Sequence, residues 1–503
     1  MSTVLATGED FASRIALEDG TVSTIETHVS TLLFRDDLVF KIKKPVRFGF
    51  IDLSTAERRE EACRREVELN RRLAPDVYLG VAEVMGLDER VVDHAVVMRR
   101  MPDDRRLSAL VSSGADARDE LRAIARKMAA FHAAAARSPS ISAAATGDAL
   151  LGLWTASLDE MRGLAGTVFD ADALDQVGSL AARYLAGRAP LLEQRIRAGK
   201  VVDGHGDLLA DDIFCLPDGP RILDCLEFDD TLRYGDTVAD VAFLALDLER
   251  LGRPDLGRWF LAAYREFSAD AYPESLAEHA LAYRALVRSK VDGLRAADGA
   301  VAAAKEAVAL LELAHGHLER AQTHLVVVGG LPGTGKSTLA GALADACGWV
   351  LLRSDEVRKD LAGCSHHTRA AAGFEEGIYT PAATAATYEE LLARAGRALA
   401  LGESVVLDAS FGGRRWRDTA ACVAEETSSI FDALRCVAPV EVATRRLAAR
   451  ALVGTDPSDA TPDVAAAMAA VAEPWPDATE IDTSVERGHA LAAARAALGV
   501  DRP

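Results

Sequence analysis

The chain has 503 residues, 49% of them hydrophobic, which suggests two to four domains with ordinary apolar cores. Its formal net charge of -20 at pH 7 argues against a nucleic-acid partner, because that affinity comes largely from Lys and Arg neutralising phosphates. The seven cysteines are odd in number and include no CxxC pair, which favours free thiols without disulfides. We find no secretory leader and no apolar run long enough to cross a bilayer, so we expect a cytoplasmic protein without a membrane partner.

The first part of the chain mixes strand and helix patterns. Residues 30–44, STLLFRDDLVFKIKK, predict two short strands joined by a polar turn at residues 35–37. A helix is predicted over residues 54–73, where Ser54 and Glu57 have the spacing of a capping box. Two further strands are predicted in residues 78–87 and 94–101.

From about Leu107 to Lys200 the sequence predicts mostly helix, interrupted by a loop at SPSISAAATGD, residues 138–148. Residues 201–230 predict a polar loop and two strands joined by a turn, and helices resume up to Gln322. At His324 the pattern changes to alternating strands and helices, which is typical of a parallel sheet flanked by helices. We therefore predict two domains, 1–322 and 323–503.

The strongest motif is GLPGTGKS at residues 330–337, which fits GxxxxGK[ST] between an apolar strand and a helix. Glycines let backbone N–H groups converge on phosphate oxygens, and the helix N-terminus favours an anion. Lys336 can reach the β- and γ-phosphates, and the Ser337 hydroxyl can ligate magnesium. The predicted nucleotide-binding residues here are Gly330, Gly333, Thr334, Gly335, Lys336, Ser337 and Thr338.

Two acids follow predicted strands, at the edge where an open α/β sheet binds ligands. Asp408 is predicted to hold the magnesium shell, and Asp355 to accept a proton from a substrate hydroxyl, with Arg358 nearby for a substrate anion. For both acids the alternative is a helix N-cap. Arg446 and Arg450 share one helix face before a polar loop, so Arg450 is predicted as a lid arginine; a solvated basic face is the alternative.

The segments GLPGTGKST, RSDEVRK, VVLDASF and RRLAAR resemble those of P-loop small-molecule kinases and the related AAA-type, zeta-toxin-like kinases over about residues 324–503. This resemblance implies transfer of phosphate from ATP to a hydroxyl, with magnesium as cofactor. The P-loop itself is shared with ATPases and GTPases, so the motif alone leaves the acceptor open.

A second set of candidate residues lies upstream. Phosphoryl transfer needs a carboxylate to orient or deprotonate the hydroxyl, and ligands for magnesium. Asp207 in a polar loop, Asp212, and Asp224 on a later strand can supply these groups. Lys41 on a strand and Glu66 on a helix can form the pair that anchors the α- and β-phosphates in protein-kinase-like folds.

The segments HGDLLADDIF and ILDCLEFDD resemble the catalytic loop and metal-binding segment of aminoglycoside phosphotransferase-like enzymes, over about residues 25–320. The resemblance implies that Asp207 is the catalytic base and Asp224 the main metal ligand, with Asp212 where the family usually has Asn. It also implies Lys41 and Glu66 as the phosphate-anchoring pair, and VVMRRM, residues 96–101, as the strand against adenine. Lys43 is a rival to Lys41, or a solvated charge.

The expected fold is therefore a protein-kinase-like α+β part followed by a parallel-sheet α/β P-loop part. The expected protein is an ATP- and Mg²⁺-dependent kinase with two nucleotide sites that phosphorylates a hydroxyl of a small molecule. The alternative is an ATP-binding or ATPase regulatory protein with a degenerate N-terminal pseudokinase. A nucleic-acid end kinase is disfavoured by the acidic balance, and the sequence leaves the acceptor and the oligomeric state undetermined.

Overall fold

The computed structural model describes residues 23–27, 29–48, 51–86, 90–365, 377–453 and 461–500. The chain forms two compact units that alternate along the sequence. The first unit comprises Met1–Leu164, Gln194–Tyr272 and Ala280–Ala314, and the second comprises Ala165–Glu193, Pro273–His279 and His315–Pro503. The predicted domain boundary after residue 322 stays a prediction. The second compact unit includes the whole segment after that residue and also residues 165–193, 273–279 and 315–322.

The strands are β1 Ser23–Glu26, β2 Ser30–Arg35, β3 Leu38–Lys43, β4 Arg47–Phe48, β5 Ile51–Asp52, β6 Tyr78–Met85, β7 Val91–Arg99, β8 Val201–Asp203, β9 Ile213–Leu216, β10 Gly219–Ile222, β11 Tyr234–Asp236, β12 His324–Gly329, β13 Val350–Arg353, β14 Val405–Asp408, β15 Ile430–Val437 and β16 Thr479–Asp482.

The α-helices are α1 Ala56–Asn70, α2 Leu107–Ser112, α3 Arg118–Ala134, α4 Pro139–Ala143, α5 Gly147–Arg162, α6 Ala171–Gly187, α7 Ala189–Arg197, α8 Thr237–Arg250, α9 Pro254–Ser268, α10 Glu274–Ala297, α11 Val301–Ala321, α12 Lys336–Cys347, α13 Ser354–Leu361, α14 Pro381–Ala400, α15 Arg414–Glu426, α16 Val440–Val453, α17 Pro462–Val471 and α18 Arg487–Ala497. Within the described residues, no helix is both long enough and apolar enough to span a bilayer.

The first unit contains an antiparallel sheet with strand order β1-β2-β3-β7-β6. The hairpin β2–β3 confirms the predicted strand pair, and Asp36 in its turn has a left-handed φ of 51°. Helix α1 packs one face on this sheet, where Cys63 and Val67 contact the apolar side chains of Val39 and Val96. Helix α1 packs mainly against β6 and β7, and its Glu66 reaches Lys41 and Lys43 of β3.

Two local predictions in the first unit are wrong in detail. Helix α1 is capped by Thr55, whose hydroxyl accepts from the backbone N–H of Arg58, while the Ser54 hydroxyl donates to Asp52 at 2.6 Å. The capping box was therefore placed one residue early, because a nearby carboxylate competes for the Ser54 hydroxyl. The expected loop at 138–148 contains the short helix α4, capped by Ser138 with proline at its first turn.

The second unit contains a parallel sheet with strand order β13-β14-β12-β15-β16, as the alternation of strands and helices predicted. Strand β12 lies in the middle and is buried along almost its whole length, which explains its continuous apolar run. Strand β16 at the edge was not predicted, because residues 479–482, TEID, are mostly exposed and lack that apolar signal.

An early segment of the chain supplies a buried guanidinium to the second unit. Arg188 is 1% exposed and donates from Nη2 to the hydroxyl of Thr323 at 2.6 Å and to the carbonyl of Thr427 at 2.9 Å. Its Nη1 donates to the carbonyl of Leu399. Ser275, from another early segment, donates to the carbonyl of Gly402 at 2.7 Å. These bonds add donors to groups that also have partners within the second unit: the Leu399 carbonyl accepts from the Gly402 N–H at 2.9 Å, and the Thr323 hydroxyl lies 2.7 Å from that of Ser429.

Candidate functional site

The predicted phosphate-binding loop joins β12 to α12, as the motif requires. Gly330, Gly333 and Gly335 have φ values of 142°, 80° and 89°, a region that favours glycine. A Cβ atom on Gly333 would lie 2.7 Å from the carbonyl oxygen of Ala443, and one on Gly330 would lie 2.8 Å from that of Cys436. The loop is therefore closed to any residue with a side chain at these positions.

The end of the loop forms the first turn of a helix. Gly335 is the N-cap of α12, so Lys336, Ser337 and Thr338 occupy its first three positions, where backbone N–H groups are unpaired within the helix. Lys336 and Ser337 are half-buried and Thr338 is exposed. Thr334 is 6% exposed, and its hydroxyl donates to the carbonyl of Leu331 at 2.7 Å, which holds the turn in shape.

Asp408 has the geometry expected of a magnesium-associated acid. It ends β14, beside Val328 of β12, and is 5% exposed. Its Oδ2 accepts from Nε of Arg353 at 3.2 Å, while its Oδ1 is buried and has no hydrogen-bond partner among the described residues. An N-cap role does not apply, because the next helix begins only at Arg414. A buried carboxylate oxygen without a donor fits a hard cation, which takes oxygen ligands.

Asp355 is the second residue of α13 and is half-buried. The N-cap position belongs to Arg353, whose side chain makes no capping bond, so the capping alternative for Asp355 does not hold. The nearby Arg358 is already engaged: Nη1 donates to the carbonyl of Ile378 at 2.9 Å, and the guanidinium lies 4.8 Å from the ring centroid of Tyr379. A role for Arg358 in holding a substrate anion would require these contacts to change.

The arginine that approaches the phosphate loop is Arg446. Its Nη2 donates to the carbonyl of Thr483 at 2.7 Å, and its Nη1 would lie 3.2 Å from a Cβ atom at Gly335. That Nη1 is buried and has no hydrogen-bond partner in the described part of the chain. Arg450 lies one turn later on α16, but its side chain and residues 454–460 fall outside the described residues, so its lid role stays a prediction.

In the first unit the structure brings Lys41, Glu66 and Asp224 together. Nζ of Lys41 lies 2.9 Å from Oε1 of Glu66 and 2.7 Å from Oδ1 of Asp224. Burial alone would lower the pKa of Lys41, but the carboxylates of Asp224 and Glu66 raise it well above its usual value. Asp224 has a left-handed φ of 61°, a strained backbone of the kind that accumulates at functional sites.

A second buried lysine joins this cluster. Nζ of Lys43 lies 2.7 Å from Oε2 of Glu66 and 2.6 Å from Oε1 of Glu227, and Lys43 is 1% exposed. The interpretation of Lys43 as a solvated charge is therefore wrong, since strand alternation puts residues 41 and 43 on the same face. Glu227 was not predicted as a site residue; the only sequence signal for it was a carboxylate three positions after Asp224.

Two further acids face this region. Burial raises the pKa of Asp207 to about 6, with the nearby Asp224 adding to the rise and Arg288 opposing it. Burial, together with the carboxylates of Asp224 and Asp207, also raises the pKa of Asp212 well above its usual value. A cation would relieve this repulsion, and Mg²⁺ usually binds one or two carboxylates plus phosphates. No preformed metal cluster of three or more His, Cys, Asp or Glu occurs among the described residues.

The loop that carries Asp207 is held by Asp240 of α8. The carboxylate of Asp240 accepts from the backbone N–H groups of His205 and Gly206, each at 2.8 Å, and contacts Nε2 of His132 at 2.9 Å. The His205 ring lies 3.1 Å from the carbonyl of Leu223, which makes this histidine a structural one. Asp240 lies 33 residues after Asp207, and no sequence motif singled it out.

A cavity of about 450 Å³ opens between these charged groups and the strand expected to face adenine. Its polar wall contains Lys41, Asp212 and Asp224, and its apolar wall includes Val39 and Met98. The other residues of its lining are Thr27, Val29, Leu32, Phe34, Val77, Tyr78, Arg99, Met101, Asp103, Arg106, Phe214 and Leu223. A pocket of this size with an apolar wall and one charged end is typical of a small-molecule or nucleotide site.

The family model described as an AAA domain matches residues 325–475. Two proteins of Mycobacterium tuberculosis and one of Mycobacterium bovis, each described as uncharacterized, are 42% identical over 462 residues, covering 92% of this chain and 92% of theirs.

Among solved structures, a putative kinase from Chloroflexus aurantiacus is 21% identical and covers 35% of this chain and 98% of its own, with a TM-score of 0.29. A choline/ethanolamine kinase family protein from Mesorhizobium loti is 14% identical and covers 62% of this chain and 98% of its own, with a TM-score of 0.41. These similarities say nothing about the substrate of this protein.

The structure places a phosphate-binding loop motif in a parallel α/β sheet, within the segment that the AAA domain model matches. The chain belongs to the family of the mycobacterial proteins, with which it shares nearly its full length.

Proposed function

We propose that the protein is an ATP-dependent phosphotransferase with two nucleotide sites, each transferring phosphate to a hydroxyl of a small molecule. The observation that carries this proposal is the loop of residues 330–337: left-handed glycines lead into a helix N-terminus beside Asp408, whose Oδ1 is a buried acceptor with no donor among the described residues. Such an arrangement favours a phosphate tail with its magnesium ion.

At the second unit, Lys336 and the backbone N–H groups of the loop would hold the β- and γ-phosphates, and Ser337 and Asp408 would hold magnesium. Magnesium, when bound, neutralises charge that develops on the transferring phosphoryl group. Asp355 would accept the proton of the attacking hydroxyl, and Arg450 would close over the phosphates from α16. Arg446 is a further candidate for that role, because its Nη1 already lies beside Gly335.

At the first unit, Lys41 and Glu66 would anchor the α- and β-phosphates, and Asp212 and Asp224 would ligate magnesium. Asp207 would orient and deprotonate the acceptor hydroxyl. The charged end of the 450 Å³ cavity supports this assignment, because Lys41, Asp212 and Asp224 all line it. We place the protein in the cytoplasm, in keeping with its free cysteines, and propose no nucleic-acid or membrane partner.

The test is a screen of hydroxyl-bearing metabolites with ATP and Mg²⁺, in which phosphorylated products are detected by mass. Lys336→Ala should lower transfer by the second unit about a hundredfold or more, a loss typical of removing a phosphoryl-stabilising group. Asp207→Asn should abolish a separate activity. Lys305→Ala and Asp218→Asn change exposed residues of the same types and serve as matched controls.

Unchanged turnover in Lys336→Ala would refute the P-loop assignment. If Asp207→Asn leaves every phosphorylation intact while Lys336→Ala does not, the alternative of an N-terminal pseudokinase with a regulatory role is the better description. Substrate-free ATPase assays of the same variants separate these outcomes.

A further inference from the structure

Two arginines lie beside the candidate base Asp207 on one face of α10. Arg284 and Arg288 are four residues apart, so their side chains project from the same side of the helix. The positive charges of Arg288 and Arg284 oppose the rise in the pKa of Asp207 that burial causes, and the charge of Asp207 opposes the lowering of the pKa of Arg284 by burial. All three residues belong to the first unit.

The position of Arg284 is fixed by the helix that also fixes the loop of Asp207. Its Nε donates to the carbonyl of Ala239 at 3.1 Å, and its guanidinium carbon lies 3.6 Å from the ring centroid of Phe243. Ala239 directly precedes Asp240, whose carboxylate holds the backbone of His205 and Gly206. Helix α8 therefore sets the distance between the Arg284 guanidinium and the candidate base.

Neither arginine forms an ion pair with a described residue, although acids outnumber bases by 77 to 57 in this chain. Asp240 also acts on Arg284, but its carboxylate already accepts two backbone N–H bonds and contacts His132. Burial lowers the pKa of Arg284, so holding this cation without a carboxylate is unfavourable. Unpaired, partly buried charges in such positions are characteristic of ligand sites.

We propose that Arg284 and Arg288 form an anion subsite for the acceptor of the N-terminal site. The compound phosphorylated there would then carry a carboxylate or phosphate group in addition to its reacting hydroxyl. Guanidinium groups match both anions, because their planar N–H donors can form two parallel bonds to them. The inference rests on the proposed phosphotransferase function of the first unit.

In the proposed reaction, the acceptor oxygen forms a bond to the γ-phosphorus while its proton passes to the Asp207 carboxylate. The bond from the γ-phosphorus to the bridging oxygen breaks, and ADP leaves with that electron pair. The two arginines would bind the distant anionic group and keep the hydroxyl at Asp207. They would also offset the repulsion between an anionic acceptor and the carboxylates of the site.

The test uses the full chain carrying Lys336→Ala, saturated with ADP, so that phosphate probes do not report on the P-loop. The probes are glycerol 3-phosphate, D-glycerate and glycerol, which share a three-carbon skeleton, with binding followed by ligand-observed NMR. At least one anionic probe should bind, and glycerol should not. Arg288→Gln should weaken anion binding about tenfold or more, and Asp207→Asn should strengthen it several-fold by removing a repelling charge.

Arg295→Gln is the control, because Arg295 lies on the same helix but is 54% exposed and paired with Asp292 at 2.9 Å. Binding of glycerol 3-phosphate alone would identify phosphate as the recognised group, and binding of D-glycerate alone would identify carboxylate. Equal binding of glycerol, no effect of Arg288→Gln, or no anion binding at all would overturn the inference. Binding of ADP to the first unit is measured separately from binding of the anionic probes. If ADP does not bind the first unit, the proposed nucleotide site is refuted, while the probe measurement still tests the arginine pair.

Discussion

Replacing Lys43 with methionine removes the cation that joins Glu66 to Glu227. Lys43 is 1% exposed, and its Nζ lies 2.7 Å and 2.6 Å from the two carboxylates. Removing one partner of a buried ion pair costs about 3–5 kcal/mol, because a charge is left buried without compensation. Glu66 keeps Lys41 at 2.9 Å, so Glu227 bears most of the loss, and we expect about 3 kcal/mol.

The loss should depend on pH in a defined direction. Burial raises the pKa of Glu227, and the positive charge of Lys43 opposes that rise. Without Lys43 the folded-state pKa of Glu227 lies further above its unfolded value, so the folded form holds the extra proton. The destabilisation should therefore be largest above the raised pKa and shrink as the pH falls towards the unfolded value. The double variant Lys43→Met/Glu227→Gln should recover much of the stability.

The assay is urea-dependent hydrogen exchange of peptides from α1 and β3, which reports on the first unit without averaging over the second. Lys44→Met is the matched control: Lys44 is 28% exposed and pairs with the exposed Glu26 at 2.8 Å, a contact expected to contribute no more than about 1 kcal/mol. A loss for Lys43→Met no larger than that of the control, or one that grows at low pH, would refute the reasoning.

Three other predictions concern the candidate sites. Gly333→Ala should abolish ATP binding at the P-loop, because the φ of Gly333 is 80° and the new Cβ would meet a carbonyl oxygen at 2.7 Å. The control is Gly341→Ala in α12, where a new Cβ meets no atom within 4 Å. Calorimetry should show normal ATP binding by this control variant. Asp408→Asn should raise the Mg²⁺ concentration that half-saturates turnover about tenfold. The control Asp345→Asn should leave that concentration unchanged. Activity that depends on Asp207 should fall as the pH drops through about 6, because protonation removes the base; a pH-independent rate between 5 and 8 would contradict this.

The sequence predicted the parts of the fold that depend on local pattern. The apolar run of β12 followed by a glycine-rich turn and a helix specified both the strand and the phosphate loop, because each glycine there needs a left-handed backbone. The hairpin β2–β3 followed from alternation around a polar turn. The resemblance to kinase families then identified Lys41, Glu66 and Asp224, and in the structure both carboxylates lie within 3 Å of Nζ of Lys41.

What the sequence left unpredicted depends on contacts between distant residues. Glu227 reaches Lys43 across 184 positions, and Asp240 holds the loop of Asp207 from a different helix. No local spacing encodes such pairs, so a charge in KIKK could be interpreted as solvated when it is in fact buried. The cap of α1 was misplaced for a related reason: Asp52 takes the Ser54 hydroxyl, and Thr55 caps instead.

The buried Arg188 has a practical consequence for dissecting this protein. A fragment starting at residue 323 would contain the phosphate loop and the parallel sheet but lack this guanidinium, which donates to the Thr323 hydroxyl and to the carbonyls of Leu399 and Thr427. It would also lose the Ser275 hydroxyl from Gly402. Gene fragments cut at the motif boundary should consequently yield poorly folded protein, whereas point substitutions in the intact chain allow both candidate sites to be assayed.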